Sequence, residues 1–168
     1  MQDVRVGVGV RGDFQAAIAL LDDAQYSEAT RLLRTVTEAA PQLAAAHINL
    51  AMAYGKLENW ELAEASAGRA IELSPRHPVA HNELGMIRRR QGRFDEARAS
   101  YETALDIASD FHFARRNLAI LCDLFTADVQ CALEHYEIYA EAVPSDDQVG
   151  IWVADLRKRA GNTHAGER

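Results

Sequence analysis

The sequence predicts an all-α chain, an array of stacked helical hairpins closed by one further helix. Three observations carry that prediction. The residue pattern returns every 34 positions, from His47 to His81, Leu50 to Leu84, Ala63 to Ala97 and Ala70 to Ala104. Each unit holds two stretches with apolar residues at i, i+3, i+4 and i+7, which is one face of a helix. Beyond the first ten residues no segment alternates apolar and polar side chains as a half-buried strand does. Composition agrees: 48% of the 168 residues are apolar, only 7% are aromatic and four are proline, a balance that suits helices more than sheets.

The first unit is degenerate early, at Asp13, Ala16, Ala17 and Leu20, and regular late, at Ala29, Leu33, Val36 and Pro41. The second carries His47, Leu50, Ala51, Tyr54, Ala63, Ala67, Ala70 and Pro75 in register. His81, Leu84, Gly85, Arg88, Ala97, Tyr101, Ala104 and Ser109 repeat them in the third. In the fourth, Arg115, Leu118, Ala119 and Cys122 keep step, but Ala132, Tyr136, Tyr139 and Pro144 follow one residue late. One residue is therefore inserted in the turn around "DLFTADVQ". Small residues at 51, 85, 119 and at 63, 97, 132 stand where two helix backbones must approach closely. Ser27, Asn59 and Asp95 are cap-type residues in the polar turns. In "DQVGIWVADLRKRAG", Ile151, Val153, Ala154 and Leu156 are expected to cover the last hairpin while Asp155, Arg157, Lys158 and Arg159 meet water. A hairpin cannot bury its apolar face alone, so neighbours stack and the terminal unit needs a polar outer side. The expected organisation is a flexible leader at 1–9 and an array at 10–160. Its units span about 10–43, 44–77, 78–111 and 112–146, with an end helix at about 147–160 and a disordered tail at 161–168.

Several function classes are disfavoured. A net charge of −7 supplies no positive field to gather phosphates, so nucleic acid is not an expected partner. No apolar run approaches the 18 residues of a membrane span, and no basic segment leads into an apolar one as in a signal peptide. Gly7, Gly9 and Gly12 spell G-x-G-x-x-G in "VGVGVRGDF". The motif needs a following sheet and an acidic residue about 20 positions on; position 32 is leucine, and no cofactor is expected. His77 and His81 are four apart, but Pro78 intervenes and no cysteine or carboxylate completes a metal set. Cys122 and Cys131 are read first as buried, reduced thiols, with a bridge between them as the alternative. His112 and His135 form no evident triad with them, so no catalytic residue is assigned and the chain is not read as an enzyme. In the basic run "IRRRQGR" (87–93), the arginines suit a helix C-terminus and Gly92 a left-handed stop.

The 34-residue unit, with its Leu-Gly/Ala pair, its later alanines and its closing proline, resembles the tetratricopeptide repeat family, W-x2-L-G-x2-Y…A-x3-F…P. The resemblance covers roughly residues 10 to 160. It implies a right-handed α-solenoid of four helix-turn-helix repeats plus a C-terminal capping helix, with the first helix of each pair lining a concave groove. The inward positions are then Ile48, Asn49, Met52 and Lys56 in repeat two. Repeat three offers Val79, Asn82, Glu83, Met86, Arg89 and Arg90, and repeat four Phe113, Arg116, Asn117, Ile120 and Leu124. Of these, Ile48, Asn49, Met52, Asn82, Met86, Arg89, Arg90, Phe113, Arg116, Asn117 and Ile120 form the expected peptide-binding groove. Asparagines offer a paired donor and acceptor to an extended backbone, methionines adapt to varied partners, and arginines favour carboxylates. The expected partner is another protein, held through an extended, acidic or C-terminal segment; the oligomeric state is not read.

The chaperone-type carboxylate clamp of this family wants Lys and Asn from one repeat, Asn from the next, and Lys and Arg from a third. Phe14, Ile18, Asn49, Val79 and Glu83 hold those places, or, one repeat later, Ile48, Met52, Glu83, Phe113 and Asn117. The clamp is not expected. Residues 117–159 are similar to the last repeat and cap of bacterial cell-envelope proteins of this family, which implies a scaffold in assembly of a pilus, secretion or similar complex. The alternatives are a cytoplasmic chaperone-like client adaptor and the targeting domain of a larger transferase. A soluble domain, cytoplasmic or periplasmic, or anchored as a lipoprotein, fits all three.

Overall fold

In the computed structural model, which describes residues 7–165, nine helices follow one another: α1 (Val8–Asp22), α2 (Tyr26–Ala39), α3 (Ala44–Lys56), α4 (Trp60–Leu73), α5 (Pro78–Arg90), α6 (Phe94–Ile107), α7 (His112–Leu124), α8 (Val129–Ala142) and α9 (Asp147–Ala165). Each consecutive pair packs as a hairpin and each hairpin packs on the next. The backbones of the inner helices α1, α3, α5 and α7 also come together in series, whereas those of α2, α4, α6 and α8 stay apart. That asymmetry bends the stack, with the inner series on the concave side. Among the described residues no helix is long and apolar enough to cross a membrane.

The period is written into the backbone. The outer helices of the first three hairpins begin on Tyr26, Trp60 and Phe94, at 34-residue steps, and that of the fourth on Val129, one residue late. One residue with positive φ closes each hairpin turn: Ala24 (58°), Glu58 (57°), Gly92 (78°) and Ala127 (52°). The last step is 35, which locates the inserted residue in that turn. Only the third turn uses glycine, which enters the left-handed region without a Cβ clash. Between hairpins a second device recurs. His47 Nε2 bonds the Pro41 carbonyl (3.1 Å), His81 Nε2 the Pro75 carbonyl (2.8 Å), and Arg115 Nη2 donates to the Ser109 carbonyl (2.7 Å). In each case the first turn of an inner helix ties down the connection six residues earlier. The two histidines are structural donors, with Pro78 at the first turn of α5 and His77 as its N-cap.

Four sequence expectations are corrected. Helix α1 begins at Val8, inside the expected leader 1–9, and contains Gly9 and Gly12; Ala17 is buried, with Phe14 and Leu21 against Leu33, Leu50 and Ala53, and this packing overrides the glycines' poor propensity. Residues 1–6 lie outside the described residues, as do 166–168 of the expected tail, whose residues 161–165 continue α9. Ser27 and Asp95 sit inside their helices, and Asn59 is an N-cap without a side-chain bond; among α1–α8 it is Asp128 that caps with its side chain, accepting the Cys131 N–H at 3.1 Å. On α9, Val149, Val153 and Leu156 are buried, while Ile151 (62% exposed) and Ala154 face out. Trp152 stacks at 5.4 Å on Tyr136 and sets that rotation.

Candidate functional site

The inner wall is built from α3, α5 and α7. Asn82, 3% exposed, sits at its centre and accepts from Asn117 Nδ2 at 2.9 Å. Its own Nδ2 reaches Glu83 Oε1 at 3.4 Å. The two asparagines thus form a rung between α5 and α7, and the bond uses the acceptor expected to meet a peptide. Asn49, in the same position one repeat earlier, is half-buried on α3.

A cavity of about 210 Å³ opens between α3 and α5, lined by Ala51, Met52, Gly55, Lys56, Trp60, Glu83, Met86, Ile87 and Arg90. Its walls are Met52, Met86, Ile87 and Trp60, the last placed there as the first residue of α4. Lys56 and Arg90, both exposed, supply two cations at its rim. Glu83 is 9% exposed. Burial pushes its carboxyl up to about 7, against the opposing pull of the Asn82 hydrogen bond and the Lys56 charge. The cavity therefore combines adaptable apolar walls, a carboxyl near its neutral form, and cationic edges. It suits an apolar side chain whose neighbours carry carboxylates.

The remaining expected groove residues separate. Ile48 is 5% exposed and packs with Ala70 and Ala80; it belongs to the core and not to the wall, because its side chain points back into the junction between hairpins. Ile120 is half-buried against the last core cluster. Phe113 stands 70% exposed at the start of α7, edge-on to Phe111 at 5.9 Å. The three arginines do not form one patch. Arg89 lies over the Phe125 ring (5.5 Å), Arg90 edges the cavity, and Arg116 lies over Trp152 (5.5 Å) with its Nε 3.6 Å from Asp146. Arg88 bonds Ser100 at 3.0 Å, and Arg93 clamps Glu64 at 2.8 Å while pairing with Glu96. So the basic run divides between packing, inter-hairpin ion pairs and a single cavity edge. Sequence reasoning passed over Trp60; its recurrence at the aromatic helix start was the available signal.

Cys122 and Cys131 are joined as a disulfide, which corrects the reading of reduced thiols. The pair brackets the α7–α8 turn, the last residues of one helix facing the first of the next. Their atoms and an Asp128 oxygen lie within 4.8 Å of one another; with the sulfurs bonded to each other, neither is a thiolate ligand for a metal.

Comparison with known proteins agrees with this geometry. The tetratricopeptide repeat family profile matches residues 48–110. No curated relative matches the sequence. Among solved structures, TTC0263, described as a thermophilic TPR protein of Thermus thermophilus, is 23% identical, with 88% of this chain and 80% of that chain covered at a TM-score of 0.79. Pseudomonas aeruginosa pilF is 21% identical, covering 91% and 69%, at 0.82. The first TPR domain of Spaghetti (RPAP3), bound to the HSP90 peptide SRMEEVD, is 20% identical, covering 74% and 99%, at 0.66. The 34-residue register, the stacked hairpins bent about their inner helices and the family match over residues 48–110 together give the described residues the fold of a tetratricopeptide repeat solenoid.

Proposed function

We propose that this chain is a non-catalytic scaffold or adaptor that holds an extended segment of another protein along its inner wall. The segment carries an apolar side chain flanked by carboxylates, as in an acidic stretch or a C-terminus. The observation that carries this reading is the cavity between α3 and α5, with methionine and tryptophan walls and Lys56 and Arg90 on its rim. The acidic peptide SRMEEVD on a similar fold supports the same partner chemistry, reached here without the residues of a carboxylate clamp. For the setting we put assembly of a bacterial envelope complex first, on the likeness of the last repeat and cap to proteins of that kind. A cytoplasmic client adaptor and a transferase targeting domain are the other two.

An array of immobilised peptides with free C-termini tests this, with apolar-acidic sequences set beside their basic counterparts. The protein should retain the acidic set, and Lys56→Glu with Arg90→Glu should weaken that retention at least tenfold at matched thermal stability. Equal retention by the reversed variant, or no preference between the sets, would remove the groove reading.

A further inference from the structure

The α7–α8 turn carries a chemistry that peptide binding does not use. Cys122, at the end of α7, is fully buried, packed in the cluster of Leu118, Leu121 and Tyr136. Cys131, in the first turn of α8, is half-buried. The two sulfurs also differ in electrostatic surroundings. Arg98 Nη1 donates to Cys131 Sγ at 3.4 Å, and its Nη2 to Asp128 Oδ2 at 3.2 Å. Asp128 in turn holds the Cys131 N–H at 3.1 Å, so the guanidinium is fixed beside that sulfur by a bond to the helix cap. A thiolate at Cys131 would meet a cation and the positive end of α8; one at Cys122 would meet hydrocarbon.

We propose that Cys122 and Cys131 are a redox-active pair for thiol–disulfide exchange, with Cys131 as the exchanging sulfur and Cys122 as the resolving one, acting on low-molecular-weight disulfides and thiols of the glutathione class. In the oxidising direction the Cys131 thiolate attacks a disulfide RSSR. A Cys131–SR bond forms, and RS⁻ leaves and takes a proton from water. Cys122 then loses its proton to solvent and attacks Cys131 Sγ. The internal disulfide forms and the second RS⁻ departs, so two protein thiols are oxidised and one RSSR becomes two RSH. Reduction runs the same path backwards, beginning with attack of an outside thiolate on Cys131 Sγ, the sulfur of the less buried residue. Asp128 opposes a thiolate at that position, but both its oxygens already accept, from Arg98 and from the Cys131 amide.

The full chain tests this in glutathione buffers of varied ratio, with acid quenching, alkylation and mass measurement. The pair should pass reversibly between disulfide and dithiol while helical circular dichroism persists. Cys122→Ala should accumulate a glutathione adduct on Cys131, and Cys131→Ala should leave Cys122 unmodified on the same time scale. In Cys122→Ala, iodoacetamide should alkylate Cys131 at pH 6.5 at least tenfold faster than in the same variant carrying Arg98→Met, and the difference should close by pH 9.5. A purely structural bond predicts otherwise. A disulfide that excess glutathione opens only on unfolding, adducts formed equally on both cysteines, or alkylation indifferent to Arg98 would each overturn the proposal.

Discussion

Between α3 and α4 the facing residues are Ala51, Ala63 and Ala67, all fully buried; between α7 and α8 the corresponding set is Ala119, Ala132 and Tyr136. The third hairpin goes further, setting Gly85 and Ala97 against Tyr101. Three places of the repeat are thus filled with very different volumes on one backbone plan. At the C-terminal end, rings and large aliphatic groups (Tyr101, Tyr136, Leu118, Leu121, Leu156) are fully enclosed, and the last hairpin is covalently closed as well. In the middle, alanines bring the helices together without filling the neighbourhood. Tyr54, Trp60 and Ile71 pack in from the edges, and a cavity opens against Ala51 with a buried acid on its lining. The difference teaches that the repeat fixes where helices meet, while side-chain volume decides whether a repeat is sealed or receptive.

The receptive middle is strained by Glu83, and removing its charge should have the largest effect. Its folded value, about 7, is raised above the ordinary 4.5. The contribution to stability is therefore complete below pH 4.5 and is lost as pH rises through 7. At 1.36 kcal/mol per unit the loss reaches at most about 3 kcal/mol. Glu83→Gln should flatten this dependence and stabilise the protein by up to that amount at pH 8, with little gain at pH 4.5. Urea midpoints at the two pH values measure it, and an equal shift at both would contradict the buried-acid account. Next in size is Gly85→Ala in the sealed region. A Cβ there would stand 2.6 Å from Tyr101 Cε1, and the enclosed ring cannot swing aside. Overpacking of this kind costs about 1–3 kcal/mol, which denaturant unfolding would register; a neutral result would mean that the third hairpin is looser than described. Smallest is Glu58→Gly at the middle turn, where φ is 57°. Giving this turn the residue that Gly92 supplies to the next hairpin should stabilise by roughly 0.5–1 kcal/mol, the left-handed penalty less the added chain entropy. A loss of thermal midpoint would show that the Glu58 side chain contributes more than its backbone costs.

Much of this fold was legible because its cause is local and periodic. The small residues at 51, 85 and 119, the late fourth unit and Gly92 each follow from helix-helix distance or backbone conformation, which single positions record. Parts of the site were not legible, because they depend on neighbours from other units. Ile48 and Met52 occupy the same helix four residues apart, yet the next hairpin covers only the first. Arg89 and Arg116 carry the charge expected of a wall, but Phe125 and Trp152, supplied from a turn and from the cap, take up their guanidinium faces. Trp152 likewise rotated α9 away from the face that Ile151 and Ala154 suggested. The disulfide was within reach. Cys122 and Cys131 flank one tight turn, and their Cα atoms lie 5.8 Å apart, a bridging distance; counting cysteines without placing them on the hairpin hid it.

The donors His47, His81 and Arg115 each grip the carbonyl six residues behind them. One side chain per junction thus sets the angle at which each new hairpin leaves its predecessor. Imidazole and guanidinium differ in reach, so the third joint is built with a longer strut than the first two. Pitch along the spiral, and hence the width of the trough it encloses, can be retuned one joint at a time without altering the inner wall.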